Sequence, residues 1–114
     1  MTYTKTEKVQ ALVEGRGLQI MIDDNPGTIA DFWKDVSFSD VIKYADEHGI
    51  PEDICYHEPG TGDGIYIIKS ENTWSLYSQE RGIKYGETSF PSEKEVIYGL
   101  LSLIAHNFRI AGTK

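Results

Sequence analysis

Three short runs rich in β-branched and aromatic residues follow one another between residues 65 and 89, and their spacing constrains the fold more than any other feature of the chain. Ile65–Lys69, Trp74–Ser78 and Ile83–Ser89 are separated only by the polar turns Ser70–Thr73 and Gln79–Gly82. Connections this short join antiparallel neighbours, because a parallel crossover needs a dozen residues or more. The segment is therefore expected to form a meander. Pro91, Ser92 and Glu95 then open a helix in which Val96, Ile97, Leu100, Leu101, Ile104 and Phe108 recur at helical spacing. With almost no charge between Glu95 and Arg109, that helix is expected to be packed on two sides or to face another chain.

The N-terminal half reads as a mixture. Thr4 and Glu7 have capping-box spacing ahead of Val9, Leu12 and Val13, so a helix is expected over about 5–14. Leu18, Ile20 and Ile22 alternate with Gln19, Met21 and Asp23, the period of a half-buried strand. Asp24-Asn25-Pro26-Gly27 has turn chemistry, and Thr28–Val36 follows either as the partner strand or as a helical turn. Ser37 and Asp40 repeat the capping spacing before Val41, Ile42 and Ala45, predicting a helix over about 39–48 that Gly49 and Pro51 end. Asp53–Glu58 reads as a short strand before the turn cluster Pro59–Gly64. The order α-β-β-α-β-β-β-β-α predicts an α+β fold, an antiparallel sheet of hairpins and a C-terminal meander packed with about three helices, in a single domain over 1–114.

Leu, Ile, Val and Phe supply 28 of the 114 residues, enough for a chain of this charge to build a core. No apolar run reaches the roughly 18 residues of a membrane span, and the N-terminus shows no secretory signal pattern. The lone cysteine, Cys55, cannot close an internal disulfide, which fits a cytoplasmic protein.

Charge is concentrated in one stretch. Residues 23–63 carry eleven of the eighteen acids against only two bases, Lys34 and Lys43. A nucleic-acid reader needs clustered cations, so direct binding to nucleic acid is not expected. Such a surface either keeps the chain soluble or steers a basic partner. On the second reading the partner-binding candidates are Asp23, Asp24, Asp31, Trp33, Asp35, Asp46, Glu47, Glu52, Tyr56 and Glu58. Trp33 stands between Asp31 and Asp35, so a strand there would place acid, indole and acid in a row on one face. The competing reading puts Trp33 in the core with the acids at its margin.

The residues that could carry chemistry are few. Gly60–Gly64 is glycine-rich but leads into a strand rather than a helix N-terminus, so it reads as a hairpin turn rather than a phosphate cradle. Asp53, Cys55 and His57 would share a strand face, as a nucleophile with its base or as metal ligands. Neighbouring acids would raise the thiol pKa, and a second ligand pair at zinc spacing is missing. His48 and His106 sit at helix ends, where they serve the dipole. Neither a cofactor nor catalysis is expected.

The stretch Gly62–Gly82 (GDGIYIIKSENTWSLYSQERG), followed by Phe90-Pro91-Ser92-Glu93-Lys94-Glu95 and an apolar helix, resembles the small immunity proteins of bacterial polymorphic toxin and contact-dependent inhibition systems. The resemblance covers roughly residues 62–104. It implies an intracellular inhibitor of one cognate toxin domain, without catalysis of its own. The acidic segment lies outside the matched stretch, where such proteins diverge to meet their toxins, and the toxin implied is a basic one such as a nuclease. A small enzyme using Cys55 and His57, a general acidic adaptor and a homodimer remain as alternatives.

Overall fold

The computed structural model describes residues 3–24 and 26–113. These form an α+β chain with five helices and a three-stranded antiparallel sheet, in the order α1 (Lys5–Val13), α2 (Gly17–Asp24), α3 (Ile29–Trp33), α4 (Phe38–His48), β1 (Gly64–Ser70), β2 (Thr73–Glu80), β3 (Ile83–Phe90) and α5 (Glu93–Asn107). Two compact units can be distinguished, residues 1–51 with 101–114 and residues 52–100. Among the described residues, no helix is long and apolar enough to cross a membrane.

In the first unit both expected capping boxes form. The Glu7 amide donates to Thr4 Oγ1 at 3.2 Å while the Thr4 amide donates to Glu7 Oε1 at 2.9 Å. Ser37 and Asp40 repeat the exchange at the start of α4. Each box satisfies amides that the first helical turn would otherwise leave without acceptors. Helix α1 buries Val9, Leu12 and Val13 and packs against α2 and α4. It ends in a Schellman motif, with Gly15 at φ 79°, its amide on the Leu12 carbonyl and the Arg16 amide on the Ala11 carbonyl.

That motif turns the chain directly into α2, which replaces the expected strand over 18–22. The alternation of Leu18, Ile20 and Ile22 was too short to decide the period, and Leu, Gln and Met in the same run are strong helix formers. Gly17 fits closely at the start, because a Cβ there would stand 3.1 Å from the Phe108 ring and 3.2 Å from Leu12 Cδ1 and would have to push these side chains aside. Of the turn expected at 24–27, Asn25 lies outside the described residues. The segment after it takes the helical alternative: Thr28 caps α3 by accepting from the Asp31 amide at 3.0 Å. Helix α4 stops at Gly49, whose φ of 74° few other residues adopt, as its C-cap composition suggests.

The second unit is built on the meander β1-β2-β3. Two-residue turns at Glu71-Asn72 and Arg81-Gly82 set the registers Ser70↔Thr73 and Glu80↔Ile83. The strand expected over 53–58 is not there. Glu52–Ile54 is a single 3-10 turn, and only Tyr56 pairs with the sheet, its amide donating to the Ile65 carbonyl at 2.8 Å and its carbonyl accepting from Ile67 at 2.9 Å. Glu52, Asp53 and Pro51 are poor strand formers, so one bridge is all the segment supports. Tyr56 stacks on Tyr66 and Tyr66 on Tyr77, with ring centroids 4.7 and 5.0 Å apart. The Gly60–Gly64 turn closes over this ladder. Tyr66 donates its hydroxyl proton to the Gly62 carbonyl at 2.7 Å, and the buried Gln79 amide donates to the Gly60 carbonyl at 2.8 Å. The glycines thus serve a packed turn, but not the expected hairpin, because the Tyr56–Tyr66 bridge is parallel and among the described residues no strand lies between α4 and β1.

Candidate interaction surface

Helix α2 carries a surface that follows from its being a helix at all. At about 100° per residue, Leu18 and Ile22 share one row, Gln19 and Asp23 the row beside it, and Ile20 points to the opposite side. Burial follows this geometry: Leu18 is 57% and Ile22 61% exposed, whereas Ile20 is 4% exposed. Gln19 Nε2 donates to Asp23 Oδ1 at 3.1 Å, bracing the polar row one turn long. The helix contains no cation, and Arg16 just before it is engaged by Glu14 at 2.6 Å.

Acids continue around this helix. Asp24 and Asp31 line an open hollow of about 290 Å³ together with Tyr3, Lys8, Pro26 and Phe32. Desolvation, then the charge and hydrogen bond of Asp23, and then Glu7 and Asp24, raise the Tyr3 phenol above its ordinary value. Lys8 is turned inward, with a side chain 13% exposed. Its ammonium donates to the Phe32 carbonyl at 2.7 Å and to Asp35 Oδ1 at 3.0 Å, and lies 4.7 Å from the Phe32 ring centroid. Asp35 therefore has a cation beside it. Asp23, Asp24 and Asp31 form no ion pair among the described residues.

Trp33 belongs to the core. It is 2% exposed, packed edge-on to Phe32 at 4.8 Å and against Phe108 at 5.1 Å. As a surface anchor it is corrected by the helical form of α3, which sends residues 31 and 33 to different faces and dissolves the acid-indole-acid row. Its indole Nε1 has no acceptor among the described residues.

Asp46 and Glu47 are exposed in the last turn of α4, where a carboxylate opposes the helix dipole. His48 lies 3.9 Å from Glu47 and stacks on Tyr44 at 4.4 Å. In the second unit Glu52, Tyr56 and Glu58 are exposed, Tyr56 through the outer side of its ladder.

Cys55 and His57 do come together, with Sγ 3.9 Å from Nε2. The same nitrogen lies 2.8 Å from the Glu52 carbonyl oxygen. A carbonyl only accepts, so Nε2 carries the proton and cannot take one from the thiol in this arrangement. Burial raises the Cys55 thiol above its ordinary value, away from the thiolate. Among the described residues no group of three His, Cys, Asp or Glu side chains is arranged to hold a metal ion.

The exposed pair Leu18 and Ile22 escaped a strand reading that buried both with Ile20. Their i, i+4 spacing directly after Gly15 is the signal that reveals them. Compared with family models, curated proteins and solved structures, the chain has no significant match.

Proposed function

We propose that the chain is a binding protein that neutralises a cognate bacterial toxin domain with a basic surface, an immunity protein of the polymorphic toxin or contact-dependent inhibition type acting in the cytoplasm. The observation that carries this reading is the α2 surface, where exposed aliphatic side chains stand beside Asp23, and carboxylates without ion-pair partners among the described residues continue through Asp24 and Asp31. Apolar anchors within a charged surround combine affinity with selection of an oppositely charged partner. Carboxylates placed against the α4 dipole support the same reading, because they weaken the helix they sit on. The resemblance over residues 62–104 supplies the toxin-neutralising context, and the Cys55–His57 geometry gives catalysis no comparable footing.

The test is stoichiometric inhibition. Where the reading frame directly upstream encodes a toxin domain, that domain is purified and its toxic activity titrated with the protein. Loss of activity at about one equivalent supports the proposal, and full activity at a large excess sinks it.

A further inference from the structure

We infer that the Leu18–Ile22 ridge of α2 docks a basic amphipathic helix of the protein partner, with Asp23, Asp24 and Asp31 receiving its cations. The inference rests on the reading of the protein as a binding module and names the element that module recognises. Two aliphatic side chains one turn apart form an i, i+4 ridge, the shape that fits the groove between side-chain rows of another helix. The Gln19–Asp23 row runs alongside, so an incoming helix would set an apolar stripe on the ridge and a charged residue over Asp23.

Charge selects among the occupants such a ridge could take. Helix α2 carries two carboxylates and no cation. Packing α2 on its copy in a second chain would oppose acids to acids. An anionic lipid surface meets the same repulsion, and membrane-lying amphipathic helices carry cations on the polar face instead. A partner helix with Lys or Arg beside a Leu or Ile stripe is attracted on both counts. Lys8 does not compete for the acids, because its ammonium is held by Asp35 and the Phe32 carbonyl.

The probes are three synthetic helical peptides: one with a Leu stripe and Lys elsewhere, one with the same stripe and Glu elsewhere, and one with Lys kept but the stripe changed to Gln. Calorimetric titration of the full chain should show binding to the Lys/Leu peptide alone. Leu18→Ser with Ile22→Ser should weaken it at least about tenfold while melting as the parent does. Asp23→Lys should shift preference toward the Glu/Leu peptide. Binding that is unaffected by the double substitution, or equal for the Lys/Leu and Glu/Leu peptides, overturns the inference. So does a dimer of the free chain that the double substitution dissociates. The toxin titration separates the two claims. A double variant that still neutralises as the parent does overturns the docking surface and leaves the function. Ridge-dependent peptide binding without toxin inhibition does the reverse.

Discussion

Gly99 of α5 faces Phe90 at the end of β3 so closely that a Cβ built on it would stand 2.7 Å from the ring Cζ and 3.2 Å from Leu76 Cδ2. A glycine in a helix interior ordinarily costs about 1 kcal/mol relative to alanine. Here the space is already occupied by the sheet. Gly99→Ala should therefore fail to deliver that gain, and Gly99→Val should destabilise by about 2 kcal/mol or more through overpacking and β-branching. Urea unfolding of both variants measures it. An alanine variant about 1 kcal/mol more stable than the parent would show that α5 does not lie this close to Phe90 and Leu76.

Lys8 has two polar partners, and they should not matter equally. Asp35 is 44% exposed and keeps water when the ammonium is removed, whereas the Phe32 carbonyl loses its buried donor. Lys8→Met should cost about 1 to 3 kcal/mol, as an unsatisfied part-buried acceptor does. Asp35→Asn should cost less than about 1 kcal/mol, the range of exposed ion pairs. A double-mutant cycle reading a large coupling between the two side chains would reverse that ranking.

The capping boxes carry a pH dependence whose sign is fixed. Hydrogen bonding by the Ser37 amide is the leading cause holding the Asp40 carboxyl below its ordinary value, helped by Lys5, and bonding by the Thr4 amide does the same for Glu7. A lowered folded-state pKa contributes stability that is present above the unfolded carboxylate range, about pH 4, and is lost as pH falls through the folded value. Stability should decline below about pH 4.5, and Asp40→Asn should flatten part of the decline. Ser37→Ala should cost about 1 kcal/mol at neutral pH. Parallel pH curves for the parent and Asp40→Asn would assign the acid sensitivity to other groups.

What the sequence made legible follows from which signals are local. Capping pairs such as Thr4–Glu7 and Ser37–Asp40 involve residues three apart and formed as expected, and the meander turns are two residues long. The α+β class followed from these. The segments expected as strands that are not, 18–22 and 53–58, and the 28–36 segment, which takes its helical alternative, lie where five to nine residues had to settle a period. Leu18, Ile20 and Ile22 satisfy a strand by spacing alone, and the turn at Gly15 with the helix-forming Leu, Gln and Met of the run favours the helix. Thr28 and Asp31 had the same capping distance as Thr4 and Glu7, a signal that points to α3. Because the element type sets which side chains share a face, the strand reading made Trp33 the candidate anchor, whereas the helix exposes Leu18 and Ile22. Asp23, Asp31 and Asp35 were legible as exposed candidates under either reading, since charged side chains stay near water in both. Trp33→Ala should now cost about 3 to 5 kcal/mol of stability, as a buried aromatic does.

Asp31 and Asp35 should differ in how they steer a partner. Asp35 has the Lys8 ammonium 3.0 Å away, so a distant cation meets a nearly neutral pair, whereas Asp31 projects its charge without an ion-pair partner among the described residues. Long-range attraction acts on association and weakens with salt over a Debye length of about 8 to 10 Å. Asp31→Asn should slow association with the proposed toxin partner and reduce its salt dependence, with little change in dissociation. Asp35→Asn removes one charge and frees another, Lys8, so it should slow association at least as much, by adding a cation to an acidic surface. In a Lys8→Met background Asp35 has no cation beside it, so Asp35→Asn should slow association there as Asp31→Asn does in the parent. Stopped-flow association rates over a salt series, on the parent, the two single variants and the Lys8→Met pair, decide this. Rates that coincide for parent and Asp31→Asn at low salt would remove Asp31 from the steering surface.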